Sequence, residues 1–577
     1  MKELAELRPA QDAVREHLAT GVWRTTGPLA DLRHWRDETP DAPAVIAHSA
    51  TGRHELTYRQ FADQVQGFAA ALAELGVRAG EAVLVQLPNV WQVGALMLAC
   101  MRLGAVVAPV MMTLGPRELE RVLARLGAGV CITTGEWAGA RHAEAVAEMT
   151  PRLTELRHRV VLDPAGAPAG SVDFTAFFED PDRTSALGGT TAELLEDAPA
   201  EDPDRVAMVL FTSGTSGEPR GVLHTANTLY AGCSVVASAE GFGPTDRFYA
   251  TQAVTHLFGG MYSILLPLLV GGTSVLVDRW EPAAVLDLLG ESRPTVLAGA
   301  PPFVAALLAE AEQRGSAAPK LPLRMVLSGA TTVPAQLVAG VPHCWGVPLR
   351  TVWGMTEVPG HTWTRHDDPP LWGSRSDGRP GAALELDFRT EDGAVPTAEQ
   401  PARLFVRGGG LCLATFGRDG GELRVLADQD GGWYDTGDLA VPDGRGGLRL
   451  FGRAADRIGG SFMIPVADVE TELLAHPGVG DVALVGYRPR EDEELACAVV
   501  VPSPGAGAGA GSGAGAGGAL TLAELRSFLT GRGMTDWYQP SRLELVSELP
   551  RNAIGKVRKD LLRAQLAAGE VANSLAE

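Results

Sequence analysis

No two cysteines of this chain stand close enough in sequence to make a metal knuckle or a redox couple. Cys100, Cys131, Cys233, Cys344, Cys412 and Cys497 are scattered without a CxxC spacing, which argues against a zinc or disulfide framework and predicts reduced core thiols in a cytoplasmic protein. Long hydrophobic runs are also missing. The most apolar segment, Val93 to Met112, is interrupted by Arg102, Gly104 and Pro109, and so reads as a buried helix followed by a buried strand rather than a stable membrane insertion. The N-terminal MKELAELRPAQDAVREHL is charged throughout, without the apolar centre of a secretory signal. Basic charge is in deficit, with 49 Lys and Arg against 70 Asp and Glu and a net charge of −21. Such a surface repels nucleic acid and anionic lipid. What remains is ordinary for a globular chain: 45% hydrophobic and 21% charged residues. At 577 residues the chain is too long for one core, so a large N-terminal part and a further domain are expected, as a monomer or homodimer.

The pattern along the chain is α/β. LTYRQFADQVQGFAAALAELG places Phe61, Val65, Phe68, Leu72 and Leu75 at helical spacing, with Thr57 and Gln60 as a capping box and Gly76 as the stop. AVLVQLP follows as a continuous apolar run suited to a strand covered on both faces. Similar runs recur in LGAVVAPV, TSVLVD, PTVLAGA and LRMVLSGA, alternating with helical segments. Mostly parallel, helix-covered sheets follow from that alternation. From about Gly381 short strands and glycine turns suggest a β-rich subdomain, 381–453, closing an N-terminal domain 1–453. Residues 454–577 read as a smaller, mobile α+β C-terminal domain. Its Gly/Ala-rich stretch 503–518 reads as a flexible insert.

The stretch LFTSGTSGEPRGVLHT, Leu210 to Thr225, follows an apolar strand-like run, Val206–Phe211. Consecutive backbone amides in a glycine turn make a concavity for an anion, and Thr212, Ser213, Thr215 and Ser216 add hydroxyl donors. Gly214 and Gly217 would let a phosphate approach the backbone, and Arg220 would add positive charge. The spacing is not GxxxxGK[ST], so the common nucleotide-triphosphatase loop is excluded. Alone, such a turn is an ordinary surface loop.

It is not alone. The loop resembles the phosphate-binding signature of the adenylate-forming superfamily: acyl-CoA synthetases, peptide-synthetase adenylation domains and luciferases. Further matches follow in order as THLFGG, LSGA, VWGMTE, WYDTGDLA, FGRAADRI and PRNAIGKVRK, reaching Lys559. The resemblance implies that Thr212–Gly217, with Arg220, hold the outer phosphates of ATP. It implies that Trp353, where the family usually has Tyr or Phe, stacks on adenine within Val352, Gly354 and Met355, with Gly329 and Ala330 opposite. Thr356 would donate to the α-phosphate, Glu357 would ligate Mg2+, Asp438 would accept the ribose hydroxyls, and Arg453 would lie beside ribose and phosphate. Lys556 would neutralise charge as a carboxylate oxygen attacks phosphorus. His256, with Leu257, Phe258 and Gly259, falls at the family's acyl pocket; Leu257 stands where aryl-acid-activating relatives often have Asn. An apolar or aromatic acid is the expected substrate, with CoA as acceptor.

Three departures are visible. Arg220 replaces the usual lysine, Ala455 replaces the usual hinge Asp or Lys, and the run after Asp456 is one residue short, with Ser461 where a glycine lines the family's CoA channel. They keep open an acceptor other than CoA: an ATP-dependent diazotase of bacterial secondary metabolism coupling nitrite to an aryl amine, with an amino-aryl acid as a small-molecule partner, or an amide-forming or carrier-loading enzyme. A non-catalytic binding protein on the same fold is the third reading, against which the retention of Lys556, Glu357 and Asp438 speaks.

Overall fold

A computed structural model describes residues 4, 6–180, 200–213, 219–390, 393–398, 400–416, 423–428, 430–453, 458, 464, 466–490, 493–503, 520–532, 534, 538–552 and 555–569. Two nine-stranded sheets dominate. In the first, six parallel strands run in the order Leu349–Met355, Met325–Gly329, Val296–Gly299, Arg247–Ala250, Thr273–Val277 and Pro43–Ser49, with antiparallel strands at both edges. In the second, Val206–Ser213, Val106–Pro109, Ala82–Gln86, Val130–Thr134 and His158–Leu162 are parallel.

Side-chain alternation explains how these sheets stack. Val83, Val85, Val107, Val130, Ile132, Met208 and Leu210 of the second sheet face a core shared with Phe248, Ala250, Leu276, Val296, Ala298, Met325 and Leu327 of the first. The helices Tyr58–Glu74, Trp91–Leu103 and Ala226–Glu240 fill the space between them. The intervening residues point outward. Leu84, Val106, Ala108 and Cys131 meet the helices Pro116–Leu126 and His142–Met149. Tyr249, Val275, Leu297 and Val326 meet the helices Pro282–Ser292, Pro301–Arg314 and Ala335–Trp345. Both faces of each strand are therefore apolar, which is why the sequence shows continuous runs rather than alternation.

The strand that leads into the stretch Leu210 to Thr225 extends beyond Phe211, through Ser213. It returns antiparallel as Pro219–Thr225, with Thr212 opposite Arg220. The apolar run accounts for the first of these two strands; the second, with Arg220 and His224 in it, carries no such run. The region after Gly381 supplies a four-stranded antiparallel sheet, Glu385–Arg389, Ala402–Arg407, Tyr434–Pro442 and Leu448–Arg453. It also lends Ala414–Phe416 and Leu423–Val425 to the second large sheet. The C-terminal part packs helices Val466–Leu474 and Leu522–Gly531 on one face of a three-stranded sheet, and helix Lys559–Ala568 on the other. Among the described residues no helix is long and apolar enough to cross a membrane. Residues 504–518 of the Gly/Ala insert lie outside the described residues.

The capping box anticipated for the Tyr58–Glu74 helix is formed. Gln60 N–H donates to Thr57 Oγ1 at 3.3 Å and Thr57 N–H to Gln60 Oε1 at 2.9 Å. At the far end Gly76 adopts φ +80°, and Val77 N–H reaches back to Leu72 O, closing the turn. Thr57→Ala is expected to lower stability by about 1 kcal/mol, read as a reduced urea midpoint with ATP turnover unchanged. An unchanged midpoint would show that the cap does not stabilise this helix.

Candidate active site

A cavity of about 1090 Å³ opens at the carboxyl ends of the first sheet's parallel strands. In open α/β sheets this is where ligands bind, because the connecting loops splay apart there. One wall comes from Ala330, Val352, Trp353, Gly354, Met355, Thr356 and Glu357. A second comes from Thr212 and Arg220 of the hairpin, a third from Tyr434 and Asp438 of the antiparallel sheet, and a fourth from the C-terminal part. Gly329 does not line the cavity. A Cβ there would lie 2.0 Å from Val352 O, so glycine is what lets the two strands approach. Ala330 sits at φ +71°, a left-handed conformation that costs a non-glycine residue about 1 kcal/mol.

The segment ending in Glu357 is gripped by one face of the Pro219–Thr225 strand. Arg220 Nη1 lies 3.1 Å from Glu357 Oε1 and donates to the Tyr434 hydroxyl at 3.2 Å, while Nη2 donates to Thr415 Oγ1 at 3.1 Å. The Tyr434 hydroxyl donates in turn to Glu357 Oε1 at 3.2 Å. Burial, and then the Glu357 carboxylate, push the Tyr434 phenol above its usual value, so it stays a donor. Two residues on, Val222 packs in the same cluster as Trp353. Two further on, buried His224 bonds the Thr356 carbonyl through Nε2 at 2.8 Å and Thr228 Oγ1 through Nδ1 at 3.0 Å. Desolvation lowers His224 to about 4. Its Nε2 is therefore the protonated nitrogen and donates to the carbonyl.

The apolar wall is formed by Leu257, Phe258, Met261, Tyr262, Met111 and Phe211. His256 caps the short Leu257–Gly260 helix, its Nδ1 accepting the Phe258 N–H at 3.2 Å. Desolvation lowers His256 to about 4 as well. With Nδ1 an acceptor, Nε2 carries the proton of the neutral ring. Gly259 lies behind this wall. A Cβ there would stand 2.1 Å from Ala253 O, so its role is close backbone packing. Helix residues 261–265 form a π turn, an irregularity frequent where a helix lines a site.

Lys556 lines the same cavity from a hairpin bridged between Arg551 and Val557. Its N–H donates to Asn552 Oδ1 at 2.9 Å, and its carbonyl accepts the Asn552 N–H at 2.8 Å. Gly555, at φ +81°, brings the hairpin against Phe303, whose ring lies 3.3 Å from where a Cβ would be. Residues 214–217, Ala455 and Ser461 lie outside the described residues, and Arg453 is placed only as the strand partner of Asp438.

This arrangement matches known proteins over nearly its whole length. Residues 32–414 match the AMP-binding enzyme family, and residues 468–556 match the AMP-binding enzyme C-terminal domain. The chain belongs to the AMP-binding enzyme family. It is 29% identical to the medium-chain fatty-acid–CoA ligase of Escherichia coli (strain K12), across 95% of this chain and 91% of that one. It is 31% identical to a salicylyl-CoA synthase / salicylate adenylyltransferase of a Streptomyces species, across 96% of each. Among solved structures it resembles the anthranilate CoA ligase AuaEII in complex with anthranoyl-AMP, with a TM-score of 0.77, 22% identity and coverage of 95% and 98%. At that identity the likeness speaks to the fold alone.

Within this AMP-binding enzyme two more residues shape the site outside the roles the motifs imply: Tyr434 lines the cavity, and His224 holds the Thr356 carbonyl from behind it. His224 and Tyr434 lie inside stretches quoted for the resemblance, and the period-2 spacing of Arg220, Val222 and His224 was a usable signal. Asp377 and the start of the Pro301–Arg314 helix, also lining it, carried none.

Two outcomes are expected. Arg220→Lys restores the commoner family residue but cannot fork to Thr415, Tyr434 and Glu357 together, so stability should fall by about 1–2 kcal/mol in urea. No loss would mean the fork is dispensable. His224 titrates near 6.5 when unfolded and near 4 when folded. The unfolded chain therefore takes up the proton first as pH falls, and stability drops from about pH 6.5 toward pH 4. His224→Asn should remove about one proton, or about 1.4 kcal/mol per pH unit, from that slope. An unaltered slope would contradict the buried neutral imidazole.

Proposed function

We propose that this enzyme activates an apolar or aromatic carboxylic acid with ATP and transfers the acyl group to CoA. A carboxylate oxygen attacks the α-phosphorus and the bond to the pyrophosphate oxygen breaks, giving acyl-AMP and pyrophosphate. A thiol sulfur then attacks the acyl carbon, AMP leaves, and the thiol proton passes to solvent. The observation that carries the reading is the shared cavity, in which Lys556 of the C-terminal part meets Thr212, Thr356, Glu357 and Asp438 beside an apolar wall.

Each group has chemistry suited to its part. Trp353 offers an aromatic face to adenine, and Asp438 supplies acceptors for the ribose hydroxyls. Thr212 contributes a hydroxyl to a phosphate cradle completed by residues 213–217, and Thr356 a donor for the α-phosphate. Lys556 neutralises the charge that develops as oxygen and phosphorus join. The neutral His256 can donate one hydrogen bond from Nε2 without bringing a charge into an apolar pocket. Mg2+ fits the site in one respect: such ions bind through one carboxylate and the nucleotide phosphates, and Glu357 is a buried carboxylate beside Thr356. Glu357 would share its charge between the ion and Arg220. When bound, the ion would neutralise the leaving pyrophosphate.

A second reading, transfer to an acceptor other than CoA, draws on Ala455 and Ser461, which depart from the family where the C-terminal part turns and the thiol enters. The test is pyrophosphate release over a panel of fatty, alicyclic, aryl and amino-aryl acids, each with no acceptor, CoA, an amine or nitrite. Acid-dependent pyrophosphate with thioester only in the CoA arm is expected. Pyrophosphate with product only in an amine or nitrite arm would select the second reading, and none in any arm would reject both. Lys556→Ala should slow acyl-AMP formation by roughly 100- to 1,000-fold in single-turnover assays while ATP still binds. A change below tenfold would remove Lys556 from the chemistry.

A further inference from the structure

The indole N–H of Trp353 donates to Asp438 Oδ2 at 2.9 Å, across 85 positions of sequence. Both side chains are buried, at 5% and 7% exposure. Trp353 ends the regular part of the Leu349–Met355 strand, where the register shifts before Met355. Trp353 belongs to one buried cluster with Val222, Leu404, Val406, Ala440 and Leu448, which joins the first large sheet to the antiparallel sheet. Asp438 stands at a second irregularity. Gly437 stands at φ +74°, and the register shifts again between Asp438 and Ala440. The Asp438 N–H is held by Thr436 Oγ1 at 3.1 Å, and Thr436 is anchored on Leu404 O at 2.8 Å. An indole edge and a carboxylate thus meet at the cavity where two strands each depart from regular register.

A phenylalanine could offer the same aromatic face but has no N–H to give. We infer that Trp353 is the positioning residue of the ribose-facing carboxylate, its N–H fixing the plane of Asp438 so that the carboxylate meets the ribose diol and the site discriminates for ribonucleotides. This rests on the reading in which Asp438 receives the ribose hydroxyls. One indole bond takes a single lone-pair direction of a group with about four, so it orients the carboxylate without consuming it. The bond is charge-assisted and shielded from water, which makes it strong enough to set a rotamer. It also couples adenine recognition to ribose recognition, because the face that meets the base and the acid that meets the sugar are locked together.

The experiment measures the dissociation constants of ATP and 3′-deoxy-ATP by calorimetry for wild type, Trp353→Phe, Asp438→Asn and the double variant. Trp353→Phe should weaken ATP roughly tenfold and 3′-deoxy-ATP by less than about threefold, so that selectivity for the diol shrinks. In the Asp438→Asn background the same change should alter ATP binding by less than about twofold, because the two residues act through one bond. Equal weakening of both nucleotides, or independent effects in the double variant, would leave Trp353 a packing residue and overturn the inference. Should Trp353→Phe not fold, the eleven tryptophans of the chain supply a second reading. One indole ¹⁵N–¹H resonance should move upfield in Asp438→Asn, and no movement would overturn the inference equally. Failure of the proposed reaction looks different: nucleotide binding with a diol preference but no acid-dependent pyrophosphate from any acid.

Discussion

One strand gripping one segment is the constraint on which the rest of the site depends. Arg220, Val222 and His224, on one face of Pro219–Thr225, hold Glu357, Trp353 and the Thr356 carbonyl in turn. Because side chains alternate along a strand, these three contacts come as a set, and a one-residue slip would lose all of them. The strand pair Val206–Ser213 and Pro219–Thr225 is thereby tied to the end of the first large sheet. Tyr434 extends the tie to the antiparallel sheet, accepting from Arg220 and donating to Glu357. Three sheets therefore meet at one buried carboxylate.

Such a junction is polar and buried, with Glu357 Oε1 paired to both Arg220 and Tyr434, and these properties bear on catalysis. A carboxylate at 4% exposure is costly unless it is paired, and Arg220 with Tyr434 satisfies it. A prearranged carboxylate, hydroxyl and guanidinium need little reorganisation when a phosphate arrives, which is the condition under which electrostatic stabilisation is effective. Lys556 enters from a separate part of the chain, on a hairpin seated against Phe303. The site is thus built partly from the three sheets that meet at Glu357 and partly from a C-terminal part with its own small sheet.

Much of the architecture could be read in advance, because strands buried on both faces announce themselves as continuous apolar runs, as in Ala82–Gln86. The Thr57 cap and the Gly76 stop were equally plain, since each rests on local chemistry. Local patterns did not show that the strand Val206–Ser213 returns antiparallel as Pro219–Thr225, or that His224 reaches a carbonyl 132 positions away. Gly259 and Gly329 carry motif positions yet face neighbouring backbone rather than the cavity, and no sequence signal separates a packing glycine from a ligand-facing one. Trp353 read as an aromatic face; its edge and the bond to Asp438 lie beside two register irregularities that composition does not announce.

In the proposed reaction these distant segments make the innermost phosphorus of ATP accept a carboxylate oxygen. Its most direct measurement follows oxygen-18 from the carboxyl group of an acid that supports turnover. After a full cycle with acceptor present, AMP should carry one heavy oxygen, with none in pyrophosphate. Heavy oxygen appearing in phosphate or pyrophosphate, or unlabelled AMP despite product formation, would show that another bond of ATP is broken and that the site is built for different chemistry.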